Sequence, residues 1–234
     1  MLSWWLPESV STYGPDIDRL FYAIYYVTNA VFFAVQGTLI AFLFLYRHRD
    51  DRRATYTHGN TTLEIVWTII PAIILIVLAF VSRETWANIK GRVPPGDVVL
   101  QVTAKQFNWE VAYPGPDGKL NTDDDFTQDN DVHVPVNKTI RIMLKSRDVI
   151  HSFFVPNLRY KQDAVPGHEI PIWFKATKPG KYEIPCAELC GFGHSGMRGW
   201  LYVQTPEEYA AWSREHHAGP ATPAPAPRER EENR

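Results

Sequence analysis

The segment spanning residues 186–197, CAELCGFGHSGM, concentrates the side chains best suited to metal chemistry. It places Cys186, Cys190, His194 and Met197 within one turn-rich loop. Thiolate, imidazole and thioether groups form a soft ligand set, which suits copper far better than magnesium or calcium. The spacing therefore predicts a soft-metal site in this loop.

A fifth donor lies upstream, where His151 is expected at the end of a strand in the segment DVIHSFFVP. In a β sandwich, blue-copper proteins hold one metal with such a histidine and a loop that carries cysteine, histidine and methionine. The second cysteine allows more than one metal ion in the site. Two thiolates four positions apart can both bridge a pair of copper ions, which leaves His151 and His194 as one imidazole for each ion.

Three other interpretations of these residues remain open. A disulfide between Cys186 and Cys190 suits an oxidising compartment, but it leaves His194 and Met197 at ligand spacing by chance. A zinc site made of two cysteines and two histidines gives Met197 no role. A single blue-copper ion leaves one cysteine unexplained.

Two apolar segments near the N-terminus predict a membrane hairpin. Residues 20–46 carry no charge and residues 63–86 contain a second apolar run, and a spanning helix needs roughly 20 residues. The loop between them, residues 47–62, carries Arg47, Arg49, Arg52 and Arg53. The positive-inside rule places this loop in the cytoplasm. Residues 1–19, the 87–97 linker and all later residues are therefore expected on the opposite, extracytoplasmic side of the membrane. A cleaved signal peptide fits the first span less well, because the preceding residues are acidic.

Residues 98–215 predict an all-β domain. Short alternating segments are separated by turn signals without intervening helices, which is typical of a Greek-key sandwich or barrel. The parity of the apolar positions changes between Ala104 and Phe107, so a bulge is expected near Lys105 and Gln106. Further strand candidates are DVHVPV, TIRIMLKS, EIPIWFKA, KYEIPC and GWLYVQ.

The C-terminal part predicts a short helix followed by a tail. Thr205, Pro206 and Glu208 form a capping box with proline at the first helical position, which starts a helix through Trp212. Residues 216–234 are rich in proline and alanine and then charged, so they are expected to be disordered.

Composition argues against several classes of function. A net charge of −2 without a basic stripe gives no reason to expect nucleic acid as a partner. Two cysteines in one loop build no disulfide framework, and no C-x-x-C-H motif is present to attach a c-type haem. The acidic segment 114–131 does not match the EF-hand pattern and is expected to be a solvated loop. The other histidines are expected at the surface or in loops: His48, His58, His133, His168, His216 and His217.

The loop motif, the upstream histidine and the two-span anchor together resemble cytochrome c oxidase subunit II of bacteria. The resemblance implies a cupredoxin-like Greek-key sandwich anchored by an N-terminal two-helix hairpin in the inner membrane, with the sandwich on the periplasmic side. It implies the electron-transfer subunit of a proton-pumping oxidase, which accepts electrons from cytochrome c or a similar small redox protein and passes them to haem. Haem and CuB lie in subunit I, where oxygen is reduced to water, and subunit III completes the expected partners.

The same resemblance assigns the ligands of a mixed-valence dicopper centre, CuA. It implies that Cys186 and Cys190 bridge the metals. His151 and Met197 then complete one copper, while His194 and the backbone carbonyl of Glu188 complete the other. The Glu188 side chain is implied to reach a magnesium ion shared with subunit I.

Three further residues match functional positions of the family or depart from them. Glu64 matches the mouth of a proton channel into subunit I, although a carboxylate in a first helical turn is also favourable by itself. Phe107 stands where many members have the tryptophan through which electrons enter, and Trp109 matches the next aromatic position. Both aromatic residues are equally explained as strand-face packing.

Two other functions compete with the oxidase subunit. Nitrous oxide reductase resembles this chain in its CuA motif, but it is a soluble enzyme with a large propeller domain. A stand-alone membrane-anchored copper carrier is the other, and Glu64 with the WTIIP segment favours docking onto subunit I instead. Related quinol oxidase subunits lack the copper ligands.

Overall fold

The structure, a computed structural model, describes residues 6–53 and 56–217. The chain divides into two compact units. Residues 15–92 form one unit, and the residues before and after them form the other.

The first unit consists of two long apolar helices. Helix α1 spans Gly14–Leu45, and helix α2 spans Thr61–Trp86 with Pro71 in its interior. One π-helical turn, Ala87–Gly91, follows α2 directly. At 1.5 Å per residue, helices of 32 and 26 residues measure about 48 and 39 Å, which exceeds the roughly 30 Å hydrocarbon core of a bilayer. Both predicted spans are thus confirmed as helices long and apolar enough to cross a membrane. Helix α1 begins six residues before the predicted span.

The second unit is a β sandwich with a short C-terminal helix, which confirms the predicted fold class. Its strands are β1 Val98–Lys105, β2 Asn108–Tyr113, β3 Phe126–Asp129, β4 Asp131–Pro135, β5 Thr139–Ser146, β6 His151–Val155, β7 Tyr160–Ala164, β8 Ile170–Lys175, β9 Gly180–Pro185 and β10 Arg198–Gln204. Helix α3 spans Pro206–His217. The sheets have the strand orders β3-β2-β1-β5-β8, β4-β10-β9 and β6-β7. The parallel pairs β1–β5 and β4–β10 join strands distant in sequence, which makes the sandwich a Greek-key type rather than a meander.

Alternating side chains build the core. Leu100 and Val102 of β1 and Ile142 and Leu144 of β5 are fully buried, and the register pairs Leu100 with Ile142 and Val102 with Leu144. Burying each such side chain contributes roughly 1.5–3 kcal/mol. The five strand candidates read from the sequence are all present, whereas β3, β6 and β7 were not anticipated.

The bulge expected near Lys105 and Gln106 is wrong. Lys105 pairs with Asn108, so Gln106 and Phe107 form a hairpin turn, and their peptide bond is cis. Residues directly opposite in an antiparallel pair share a face of the sheet. The pairing of Ala104 with Trp109 therefore shifts the parity of buried positions from even to odd numbers.

The structure also tests several smaller predictions. His151 lies at a strand end as expected, as the first residue of β6 rather than the last residue of β5, which stops at Ser146. The capping box is confirmed: the Thr205 N–H donates to Glu208 Oε2 at 2.9 Å, and the Glu208 N–H donates to Thr205 Oγ1 at 3.3 Å. Helix α3 continues past Trp212 to residue 217, so residues 216 and 217 belong to the helix. The remaining predicted tail, residues 218–234, lies outside the described residues.

His133 is not a surface residue as expected but is buried on β4. Its ring is stacked between Tyr202 and Trp212, with ring centroids 4.4 Å away on both sides and interplanar angles of 8° and 6°. Its Nδ1 lies 3.2 Å from Gln204 Oε1. Strand β4 alternates valine and histidine in the pattern Val132, His133, Val134, so the histidine faces helix α3, where aromatic rings cover it.

The residues just before helix α1 pack on the sandwich, which the sequence did not predict. The Val10 N–H donates to the Asn157 carbonyl at 2.8 Å, and the Thr177 N–H donates to the Val10 carbonyl at 2.8 Å. Ser11 is buried and forms a β-bridge with Ala176. This segment therefore extends the β structure of the second unit.

Candidate metal centre

A loop between β9 and β10 holds most of the soft donors. It starts at Cys186, passes through a 3-10 turn at His194–Gly196, and ends at Met197. The Cys186 N–H donates to the Met197 carbonyl at 3.1 Å, which closes the loop between its first and last donor. The Ala187 N–H donates to the Ser152 carbonyl at 3.0 Å, which fixes the loop against β6.

All five predicted side-chain donors converge on one small volume. Cys190 Sγ lies 3.8 Å from Cys186 Sγ, 3.6 Å from His194 Nδ1 and 3.8 Å from Met197 Sδ. Cys186 Sγ lies 3.9 Å from His151 Nδ1. The ligand atoms of His151, Cys186 and Cys190 are all within 4.8 Å of one another. The two thiols are not bonded to each other in this structure, which is what a metal site with two thiolates requires.

The backbone carbonyl of Glu188 also reaches the centre. Its oxygen lies 3.2 Å from Cys186 Sγ, whereas the Glu188 side chain is exposed. The residue therefore turns a hard oxygen toward the thiols and presents its carboxylate to the outside.

A carboxylate orients the ring of His151. Asp148 Oδ1 lies 2.8 Å from His151 Nε2, and Asp148 also accepts from the N–H groups of Gln106 and Val149, each at 2.7 Å. Burial raises the pKa of Asp148, but the hydrogen bond from His151 and the two backbone donors outweigh it, so the pKa lies below its ordinary value. An ionised carboxylate only accepts, so Nε2 carries the proton and Nδ1 keeps its lone pair on the side of the thiols.

The centre is shielded from water. Cys186, Cys190, Met197 and His151 are buried, and His194 is half-buried. Burial and the neighbouring Cys186 raise the pKa of Cys190 to about 11. Cys190 is therefore a neutral thiol without a metal, and a bound metal must displace its proton. Two thiols, two imidazoles, a thioether and one carbonyl oxygen in this space fit copper, since copper favours soft sulfur together with imidazole.

The β1–β2 turn connects the surrounding loops. Gln106 donates from its backbone to Asp148 and from Nε2 to the Cys190 carbonyl at 2.6 Å. Phe107 is exposed, whereas Trp109 is fully buried with its ring 6.2 Å from that of His151. Of the two candidate electron-entry residues, only Phe107 thus reaches the surface.

Glu64 lies in the other unit, in the first turn of α2. The Asn60 side chain caps this helix by accepting from the Leu63 N–H at 3.1 Å, and the Glu64 N–H donates to the Asn60 carbonyl at 3.0 Å. The Glu64 side chain is exposed.

Asp148 and Gln106 are site residues that the sequence reasoning missed. Asp148 precedes His151 by three positions, and this short spacing between a carboxylate and a candidate ligand was an available signal. Gln106 had no such signal, since its role depends on a turn that brings together loops 42 and 84 positions away.

Comparison with known proteins identifies the family. The family model described as "Cytochrome C oxidase subunit II, periplasmic domain" matches residues 100–202, and its counterpart for the transmembrane domain matches residues 2–84. The chain belongs to the cytochrome c oxidase subunit II family. It is 32% identical to cytochrome c oxidase subunit 2 of Thermostichus vulcanus over 91% of this chain and 79% of that protein. It is 33% identical to the corresponding subunit of Cereibacter sphaeroides over 80% of this chain and 75% of that protein.

A solved structure is also similar to the sandwich. The periplasmic domain of subunit II of cytochrome oxidase from Bradyrhizobium japonicum is 34% identical, and the match covers 54% of this chain and 98% of that chain with a TM-score of 0.49.

Membership of the subunit II family makes this chain part of a haem-copper terminal oxidase, an oxidoreductase. Its two apolar helices correspond to the family's transmembrane domain and its sandwich to the periplasmic domain. A nitrous oxide reductase and a stand-alone carrier are not favoured, since the matches cover both the transmembrane and the periplasmic domain of the subunit II family. Copper binding agrees with both the family and the His151, Cys186 and Cys190 cluster.

Proposed function

We propose that this subunit holds a dinuclear copper centre through Cys186, Cys190, His151, His194, Met197 and the Glu188 carbonyl. The observation that carries the proposal is the convergence of all these donors in one buried volume with both thiols unbonded. When bound, the centre supplies a one-electron acceptor whose charge is shared by two metals through sulfur.

The protein contributes a rigid, dry set of ligands. The two thiols lie side by side at 3.8 Å and would hold the metals together, with His151 beside Cys186 and His194 beside Cys190 as imidazole ligands. The Asp148 carboxylate fixes the ring orientation of His151, and the Cys186–Met197 backbone bond closes the loop. Ligands held this firmly need little rearrangement when the charge of the site changes.

Cys190→Ser tests the bridging role. The variant is expected to lose the near-infrared absorption of a delocalised dicopper centre while the chain still assembles in the membrane, because a hydroxyl does not replace the second thiolate. Ser195→Ala is the matched control, since Ser195 is an exposed residue of the same loop that donates nothing to the cluster. Two coppers and an unchanged band in Cys190→Ser contradict the assignment.

The proposal extends to partners and place. Electrons come from a soluble donor, either cytochrome c or a similar small redox protein, and leave for haem in subunit I, with subunit III in the same complex. The sandwich lies on the periplasmic side of a bacterial inner membrane, which the arginine-rich 47–62 loop supports through the positive-inside rule. The exposed carboxylate of Glu188 is available to a magnesium ion shared with subunit I.

Glu64 is proposed to serve proton uptake at the mouth of a channel in subunit I. Its position in the capped first turn of α2, with an exposed side chain, supports this role. Glu64→Gln is expected to slow steady-state turnover severalfold with normal copper content, because the amide cannot exchange protons. Glu84→Gln, near the other end of the same helix, is the control and should behave as the wild type. Unaltered turnover in Glu64→Gln removes the proposal.

A further inference from the structure

Exposed apolar side chains of the sandwich are confined to one place. Among the described residues from 93 to 217, every exposed large apolar side chain lies in the three loops that carry or adjoin the metal ligands: Phe107, Val149, Ile150, Leu189 and Phe192. These five residues are called the apolar rim. Phe192 is fully exposed and Leu189 is 78% exposed. Single exposed apolar residues are normal, but a cluster confined to a functional site marks an interaction surface.

Gln106 holds the three loops of the apolar rim together. Gln106 donates to Asp148, which precedes Val149, and to the Cys190 carbonyl at the start of the Phe192 segment. The Phe107 ring lies directly on the backbone that flanks Phe192. A Cβ added at Gly193 would come within 2.5 Å of that ring, so glycine is required there for the contact.

The charged groups beside the apolar rim are largely satisfied within the domain. Glu110 pairs with Lys105 and with Arg147, both at 2.8 Å, and Asp148 is held by two backbone donors and His151. Glu188 contributes one exposed carboxylate. A highly charged partner gains little at such a surface, because paired charges attract weakly over distance and salt screens them further.

The size of the apolar rim fits a transient partner. Five side chains cover on the order of a few hundred Å². Permanent subunits bury about 2,000 Å² or more in total, whereas short-lived redox encounters bury less than about 1,200 Å². The apolar rim lies in the loops that carry or adjoin the metal ligands, so a partner bound there is close to the metal site.

We propose that the apolar rim is the docking surface of the soluble electron donor, and that this donor exposes its cofactor edge within uncharged, apolar side chains. Phe192 is the central contact, with Phe107 beside it. This inference rests on the proposed function, since only an electron-accepting site requires a donor. Association is held by removal of apolar rings from water, so its strength depends little on salt.

Binding of two probe cytochromes to the purified oxidase containing the full chain tests this docking surface. One is a cytochrome c with apolar side chains around its haem edge, and the other is a cytochrome c with a ring of lysines there. The apolar cytochrome is expected to bind more tightly, with a Kd that changes less than about threefold between about 20 and 200 mM salt. Phe192→Ser should raise that Kd about tenfold or more, while Phe192→Leu retains most of the affinity.

Two controls separate docking from the integrity of the site. Asp123→Asn removes an exposed charge from the acidic 114–131 segment and should leave the Kd unchanged. Hexaammineruthenium(II), a small reductant that needs no docking surface, should reduce the Phe192→Ser oxidase at the wild-type rate. A wild-type complex that this reagent does not reduce contradicts the proposed function itself, and the docking proposal falls with it.

The following results overturn the docking proposal while leaving the copper site intact. Tighter binding of the lysine-ringed cytochrome with steep loss in salt shows electrostatic docking instead. An unchanged Kd in Phe192→Ser, or no binding of either cytochrome, removes the apolar rim as the docking site. Loss of this subunit from the purified complex in Phe192→Ser identifies the rim as a contact with another subunit.

Discussion

Two buried histidines of the sandwich lie in contrasting surroundings. His151 meets a carboxylate at one ring nitrogen and a thiol at the other, beside three more soft donors. His133 is stacked between Tyr202 and Trp212, and its Nδ1 lies 3.2 Å from the neutral amide oxygen of Gln204. Burial alone therefore does not make a histidine a ligand. The difference is that His151 has an oriented lone pair on Nδ1 that faces other metal donors, whereas His133 lies between aromatic rings and beside an amide.

The contrast predicts that substitutions in one region reduce metal affinity and that substitutions in the other reduce stability. Changes around His151 should affect metal affinity and leave the fold intact, because the loop is closed by backbone hydrogen bonds. Changes around His133 should weaken the fold and leave the metal unaffected, because its ring contributes packing between β4, β10 and α3.

Asp148→Asn is expected to lower copper affinity about 10–100-fold, because the amide holds the His151 ring less well and removes the charge that favours its Nε2–H tautomer. Copper titration of the metal-free complex against a competing chelator measures this change. Asp123→Asn is the matched control, since Asp123 is an exposed acidic residue of the 114–131 segment. Equal affinities in both variants contradict the orienting role.

His133→Leu is expected to lower the free energy of unfolding by about 1–2 kcal/mol, because two ring stacks and the Gln204 hydrogen bond are lost. Denaturant unfolding of the full chain in detergent, followed by tryptophan fluorescence, measures this change. Copper content per chain should stay at the wild-type value. A loss of copper without a loss of stability would reverse the roles assigned to the two histidines.

The pH dependence of stability gives the smallest expected effect. Burial lowers the pKa of His133, with the neighbouring His216 acting in the same direction and Gln204 and Asp131 opposing it. The folded protein therefore binds this proton less readily than the unfolded chain, whose histidine pKa is about 6.5. The stabilisation is complete above pH 6.5 and is lost as the pH falls from there through the lower folded-state pKa. The stability difference between wild type and His133→Leu should shrink over that range, and a constant difference would contradict the shift.

The sequence predicts much of this architecture because local patterns determine it. Uncharged apolar runs specify the helices, alternation specifies strands such as β5, and the spacing from Cys186 to Met197 specifies the donor loop. Residues whose roles depend on distant contacts were missed or misplaced. Gln106 was assigned to a bulge because a hairpin turn produces the same parity change, and His133 was assigned to the surface because the rings that cover it lie on β10 and α3. The packing of Val10 and Ser11 on the sandwich likewise has no local signal.

The central claim is that two open thiolates, those of Cys186 and Cys190, share a pair of copper ions. Copper analysis of the intact subunit, combined with electron paramagnetic resonance of the oxidised protein, tests it most directly. The expected result is two copper ions bound by each chain of this subunit, counted apart from any copper in the partner subunit. One unpaired electron should couple to both of these copper nuclei. One copper per chain at full loading, or a disulfide between the two cysteines in the copper-loaded protein, would contradict the account.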